Sequence, residues 1–319
     1  MNIAEKLKEI RPTLSPSSVK IYTTTLTKLS EAVNKTRTPD NFNFLKNSTE
    51  IIKAIGDKVT STKRNYLNAV IVALQGFPDW ENMEAFVDYS DLRDSLNKEI
   101  RDQSVTGKKT EKQEKNWITQ EQYDDIVTDY ENRLKKHRVL QSKPSDISPS
   151  ERKLLQEYLL LKLYKEIPSR NDFARIKIVK QSEYNKLKNS DMEENYLVMN
   201  RDGMYFIINL WKTKKSKGDR RRVEVPPNLV KLIRAVIRKK DNPEYLFEDA
   251  KGQPLSRNSL TKLFNRIFAT YFPDKKISTS MLRHLFLTTK YGDIKNEMEK
   301  DSNNLGHSLN TQKDYIKNK

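Results

Sequence analysis

The chain contains no cysteine. Disulfides, thiolate catalysis and cysteine-ligated metals are therefore excluded. No apolar run approaches the ~20 residues a membrane helix needs, and the first ten residues, MNIAEKLKEI, do not resemble a signal peptide. Histidine is scarce, with three in 319 residues: His137, His284 and His307. These absences lead us to expect a protein that works inside the cell, away from membranes. The 35% hydrophobic content is enough for two modest cores.

What is abundant is positive charge. There are 60 Lys and Arg against 43 Asp and Glu, a formal charge of +17. Such a balance points to a polyanionic partner, and nucleic acid is the usual one. A generally Lys-rich composition would also raise the charge, so its distribution matters. Residues 1–105 are nearly neutral, and the excess falls on the remainder.

Periodicity divides the chain. Residues 12–34 read as a helix capped by Ser15 with Pro16 in its first turn, and Val19, Tyr22, Leu26, Leu29 and Val33 form one apolar face. Further helices are expected at 48–56, after a Ser48/Thr49 cap, at 60–76 with a Thr/Ser cap, and at about 83–101. Lys63 and Arg64 lie at a helix start, where they oppose the dipole; phosphate contact would explain them. Residues 103–115 read as a polar linker. Beyond it come helices at 120–135, capped by Thr119, and 151–165. Strands are expected at 195–200, 204–211 and 220–226, the first two joined by Asp202-Gly203. Helices follow at about 227–239, 256–270, 279–290 and 294–301. The expected fold is mainly α with a small antiparallel β-sheet, in two domains: 1–102, then the linker 103–115, then 116–319.

The chemistry-bearing residues gather in the second part. YKEIPSR ends an apolar helix at Pro168 and delivers Arg170 just beyond it. Arg170 could reach inward as a functional cation, or form a salt bridge to Asp172 or a helix end. KTKKSKGDRRR, 212–222, holds seven basic residues and one acid at a strand–loop–strand corner. It is either a solvated face or a loop laid along a DNA backbone, with Lys215, Lys217 and Arg220 as phosphate contacts. MLRHLF, 281–286, carries Arg283 and His284; the histidine is either half-buried packing or a brace of the site. The final stretch, LGHSLNTQKDY, carries His307 and Tyr315.

Taken in order, Arg170, Lys212, Arg283, His307 and Tyr315 resemble the catalytic set of tyrosine recombinases, the phage-type integrases. SMLRHLF resembles that family's H-x-L-R-H box, with Ser280 where the first histidine falls. LGHSLNTQKDY resembles its L-G-H box with the tyrosine downstream, YKEIPSRNDF the first arginine box, and WKTKKSKG the lysine-bearing hairpin. Lys212 and Lys214 both fit the lysine position; Lys212 is preferred because it directly follows the strand. The resemblance implies a helical core-binding domain ahead of a catalytic domain, an origin in a virus or mobile element, and a homo-tetramer on DNA. It also implies a covalent 3′-phosphotyrosine intermediate. The phosphotyrosine preserves the bond energy, so no cofactor, ATP or metal is expected. His284, Ser280 and Lys214 stand as supporting residues. Two other readings share the residues: a nicking and rejoining enzyme of type IB topoisomerase kind, and a DNA-binding protein of this fold with weakened catalysis.

Overall fold

A computed structural model describes residues 1–105, 107–187, 194–211, 220–240 and 243–317. The chain forms two compact units, Met1–Lys109 and Thr110–Lys319.

The first unit is helical: α1 (Ile3–Ile10), α2 (Pro16–Asn34), α3 (Ser48–Ala54), α4 (Thr60–Leu74) and α5 (Glu84–Val105). α2 starts as its sequence dictates, with Ser15 Oγ accepting from Ser18 N at 3.1 Å. α3 is capped instead by Asn47, whose side chain accepts from Glu50 N. α4 begins at Thr60 with Val59 at its cap position and no side-chain cap bond, so the expected Thr/Ser cap is not made. From Ala69 to Leu74 every residue of α4 is buried, which makes it the central helix of this unit. The core around it includes Leu7, Leu26, Leu29, Leu45 and Ile51. Tyr89 is fully buried and its hydroxyl donates to Leu45 O at 2.8 Å, which satisfies the polar end of a large apolar group. A Cβ on Gly76 would lie 2.6 Å from Ile10 Cδ1, so a larger residue there would make the Ile10 side chain shift.

The second unit opens with α6 (Glu111–Asn116), α7 (Gln120–Lys136) and α8 (Pro149–Glu166). Capping boxes start all three, from Thr110 with Gln113, Thr119 with Gln122 and Ser148 with Glu151. Helix thus extends into both ends of the polar stretch 103–115. α8 is buried on most sides through Leu154, Leu155, Leu159, Leu160, Leu161, Leu163 and Tyr164, and the largest core of the chain forms around it.

The sheet differs from expectation. It has four strands, β1 (Ile176–Lys180), β2 (Asn195–Met199), β3 (Met204–Ile208) and β4 (Arg221–Glu224), in the order β1-β2-β3-β4. β2, β3 and β4 pair antiparallel, but β1 pairs parallel to β2, so the sheet is mixed rather than antiparallel. A parallel pair needs a crossover of about a dozen residues. That crossover begins with the short helix α9 (Gln181–Tyr184). One face of the sheet, with Ile176, Leu197, Phe206 and Ile208, joins the main core. The other face, with Val179, Tyr196, Val198, Tyr205 and Ile207, forms a smaller cluster. Burial on both faces removes the polar alternation that marks a strand in sequence.

Three long helices complete the unit: α10 (Pro227–Arg238), α11 (Arg257–Ala269) and α12 (Thr279–Asn304). α12 replaces the two helices expected at 279–290 and 294–301; the chain passes through Tyr291-Gly292-Asp293 without a break. The last element is α13 (Leu309–Tyr315), capped by Ser308. Among the described residues no helix is long and apolar enough to cross a membrane.

Candidate active site

The site is built on the end of α8. Pro168 follows that helix, and the chain turns through Ser169 and Arg170 into a short 3-10 turn, Asn171–Phe173. Two aromatic anchors fix the turn. Tyr164 donates its hydroxyl to Arg170 O at 2.7 Å. Phe173, fully buried, meets the Tyr164 ring edge-on with centroids 5.8 Å apart. Arg170, held between them by its backbone, is exposed.

Asp172 decides what Arg170 is free to do. It is only 5% exposed, and its carboxylate is already taken. Arg221 Nη2 lies 3.3 Å and Arg257 Nη2 3.6 Å away, and Ser169 Oγ donates at 3.0 Å. Arg170 therefore does not form the salt bridge to Asp172 weighed above; it has no carboxylate partner among the described residues. Arg221 also lies 5.1 Å from the Trp211 ring centroid, and Arg257 donates to Leu210 O at 2.9 Å. These two guanidiniums act structurally, tying β4 and α11 to the turn beneath Arg170.

Arg283 arrives from the first turns of α12. It is half-buried and has no carboxylate partner among the described residues. Burial pushes the Tyr164 hydroxyl well above its ordinary range, while the charge of Arg283 pulls the other way. A direct tie joins the two segments. The buried Thr279, one turn before Arg283, donates its hydroxyl to Asn171 Oδ1 at 2.6 Å, and Asn171 Nδ2 donates to Arg257 O at 2.9 Å and Thr261 Oγ1 at 2.7 Å. One amide thereby fixes the residue after Arg170 against α11 and the start of α12. Thr279→Val keeps the shape but leaves Asn171 Oδ1 unpaired. It should lower stability by about 1–3 kcal/mol in chemical denaturation, while Thr279→Ser stays near wild type.

A cavity of about 510 Å3 beside the turn is lined by Asn171, Asp172, Asn195, Trp211 and Arg257, among others. Neither Arg170 nor Arg283 lines it, so the arginine pair is not closed inside that cavity. Ser280 is exposed one turn from Arg283. His284 is exposed, with Nε2 3.2 Å from Gln113 Nε2. Gln113 Oε1 already accepts from Thr110 N, so its amide nitrogen is the donor here. His284 Nε2 accepts from it. Of the two readings of His284, a surface brace fits and a half-buried packing residue does not.

His307 and Tyr315 do not join the arginines. His307 N donates to Ser302 O at 3.1 Å, which fixes it at the level of Ser302 on α12. Ser302 is nineteen residues beyond Arg283, about 28 Å along a continuous helix. Both side chains together cannot span that gap. Tyr315 stays with His307: their ring centroids are 5.7 Å apart with planes inclined 33°. The tyrosine is 71% exposed. The structure therefore keeps His307 beside Tyr315 and away from Arg283, while Arg170 and Arg283 lie on chain segments joined by the Asn171–Thr279 hydrogen bond.

Lys212, Lys214, Lys215 and Lys217 lie outside the described residues. Arg220 is exposed at the start of β4. Lys63 and Arg64 are partly exposed in the first turn of α4, and Arg64 Nε is buried without a partner among the described residues. Sequence reasoning missed Tyr164, Asn171, Thr279, Arg221 and Arg257. Arg221 was visible only as part of a basic run. The other four are ordinary in sequence, and their roles arise from contacts across 6 to 108 positions.

No protein-family model matches the chain, and no curated protein matches it. Solved structures do. The XerH site-specific recombinase, bound to palindromic difH substrate in a post-cleavage complex, matches with a TM-score of 0.50 and 20% identity, over 92% of this chain and 74% of that one. The Tn1549 transposon integrase in complex with transposon right end DNA matches with a TM-score of 0.49 and 13% identity, over 100% and 96%. The XerH match assigns the architecture: this chain has the tyrosine-recombinase fold, mainly helical with a small four-stranded mixed sheet.

Proposed function

We propose that this chain is a site-specific DNA recombinase, an integrase that cleaves and rejoins strands through a covalent 3′-phosphotyrosine. The observation that carries the reading is the pair of guanidiniums, Arg170 and Arg283, without carboxylate partners among the described residues and carried on chain segments joined by the Asn171–Thr279 bond.

A phosphodiester is anionic and resists attack. Two guanidiniums on its non-bridging oxygens stabilise the charge that builds at pentavalent phosphorus. Tyr315 Oη attacks phosphorus and loses its proton, the phosphorus–O5′ bond breaks, and the departing O5′ takes up a proton. A phenol, pKa ~10, needs such a cationic site to react as phenolate. In keeping with the resemblance, Lys212 supplies the proton to O5′ and His307 holds a phosphate oxygen. A 5′-hydroxyl from another strand then reverses the step. Strand exchange between two duplexes calls for four protomers. Residues 1–102 serve as the core-binding domain, with Lys63 and Arg64 on phosphates, while Lys215, Lys217 and Arg220 contact the backbone from the second domain. The protein then acts wherever its DNA lies inside the cell.

The test uses a pool of random-sequence duplexes carrying a nick, so that a cleaved strand loses its short end and cannot be resealed. Wild-type protein should yield DNA that stays bound through denaturation, with the link at Tyr315. Recovered sites placed on two plasmids should then recombine. A wild type that binds DNA and never forms the adduct would overturn the reading. Relaxation of a plasmid without such sites, in the absence of recombination, would move it to the topoisomerase class.

A further inference from the structure

We propose that a cavity beside the first half of α8, away from the end that carries Arg170, binds a small organic phosphate of nucleotide size. The proposal stands independently of the recombinase reading.

The cavity has a volume of about 920 Å3, the size of a small-ligand site. It lies between α8, the C-terminal end of α10, the loop 246–255 and α11. Lys153 in its wall is thirteen residues before Glu166, where α8 ends, about 20 Å along the helix. The walls are pinned in place. Gln156 Nε2 donates to Glu248 O at 2.9 Å and Glu248 N to Gln156 Oε1 at 3.0 Å, which fastens the loop to α8. Lys240 fastens it to the end of α10, donating to Tyr245 O at 2.8 Å, Leu246 O at 3.0 Å and Glu248 Oε2 at 2.9 Å. Leu155, Val236, Leu255 and Leu263 give the cavity an apolar floor.

Charge sets the sign of the ligand. Six basic side chains line the cavity, Arg152, Lys153, Lys239, Lys240, Lys262 and Arg266, against three acids. The acids are engaged within the protein. Glu248 holds Lys240. Glu157 accepts from Tyr130 at 3.0 Å and from Arg266 at 3.1 Å, with Lys153 farther off at 4.0 Å. Asp249 Oδ1 accepts from Lys251 N at 2.8 Å and Gln253 N at 3.0 Å, inside its own loop.

Lys239 is the group that calls for a ligand. It is 9% exposed, and among the described residues its ammonium has one acceptor, Ser142 O, and no carboxylate. A lysine is almost never buried to that degree unless it is paired, because an ammonium taken out of water needs acceptors for its three N–H groups. Its neighbour Lys240 has all three. An anion in the cavity would answer both the charge and the spare donors of Lys239. Lys153 and Lys262 border the same space from α8 and α11, so ammonium groups from three elements surround it. An inorganic ion alone would leave the apolar floor bare, whereas a phosphate on an organic body uses floor and cations together.

The test titrates ATP into the full chain without DNA, read by calorimetry and thermal unfolding, at about 0.15 M salt to screen exposed charges. ATP should bind one to one and raise the unfolding temperature. Adenosine and tripolyphosphate each carry half of the required chemistry and should bind at least about tenfold more weakly. Lys239→Met keeps an apolar stem and should weaken ATP binding roughly tenfold, the loss expected for a hydrogen bond to a charged group. Lys262→Ala is an exposed change that leaves the fold intact and should weaken it roughly threefold, which keeps the test decisive if Lys239→Met unfolds. Lys290→Ala, on α12, should bind as wild type does. No ATP binding at millimolar concentration would overturn the site, as would tripolyphosphate binding as tightly as ATP, or unchanged affinity in both cavity variants. A short duplex that displaces ATP in step with its own binding would put the nucleotide on the DNA surface and overturn the site as well.

Discussion

Tyr315→Phe should abolish the covalent protein–DNA adduct and leave DNA binding intact. The substitution removes one oxygen, the atom proposed to bond phosphorus, and no other phenol among the described residues lies on α13. Neighbouring tyrosines do not replace it. Tyr164 is buried, its hydroxyl is engaged with Arg170 O, and burial holds it protonated. The phenyl ring keeps its place beside His307. Because the side chain is exposed, stability should stay within about 0.5 kcal/mol of wild type. Denaturing gels of protein mixed with a trapped duplex, and thermal unfolding of the same preparations, check both halves. A persistent adduct at full strength would remove Tyr315 from the reaction.

Replacing either arginine by alanine should slow adduct formation about 10²–10³-fold, the loss typical when one group that stabilises developing charge is removed. The two differ elsewhere. Arg170 is exposed, so Arg170→Ala should leave the fold as stable as before. Arg283 is half-buried, and its alanine variant should also lose a little stability through packing of its stem. Lysine should restore little at either position, because an ammonium does not present the planar fork that grips two oxygens. The double variant should fall short of the product of the two losses, since the arginines act on one phosphate as a unit. Single-turnover rates on a trapped duplex measure each effect. Full activity in both single variants would mean that the phosphate binds elsewhere.

Local signals were legible where they are local in cause. Ser15 with Pro16 and Thr119 before an amphipathic run mark helix starts because capping needs only neighbours. The arginines were singled out by the resemblance of the residue types around them to a family's boxes, and the Asn171–Thr279 bond joins the two segments that carry them. β1 was not legible. It is five residues long, buried unevenly, and its partner β2 enters by a crossover rather than a tight turn. Asn200 was likewise missed: the β2–β3 loop closes on its side chain, which accepts from Asp202 N and Gly203 N. The division of α12 into two helices followed from Gly292 and Asp293, which lower helix propensity without forbidding it. The continuous helix is the outcome when neither residue faces a competing contact. The separation of His307 and Tyr315 from the arginines follows directly from that continuity.

The carboxylate of Asp172 would also bear on how many cations a bound phosphodiester meets. Arg221 and Arg257 both lie against it, so one buried acid engages two of the nearby guanidiniums and offsets one of their two charges. A phosphodiester has two non-bridging oxygens and one charge, and Arg170 with Arg283 answers that number. Additional free guanidiniums would tighten the hold on substrate and cleaved product alike, which slows turnover without lowering the barrier. By engaging two nearby guanidiniums, one buried acid would keep the proposed grip on DNA loose enough for strands to part and trade places.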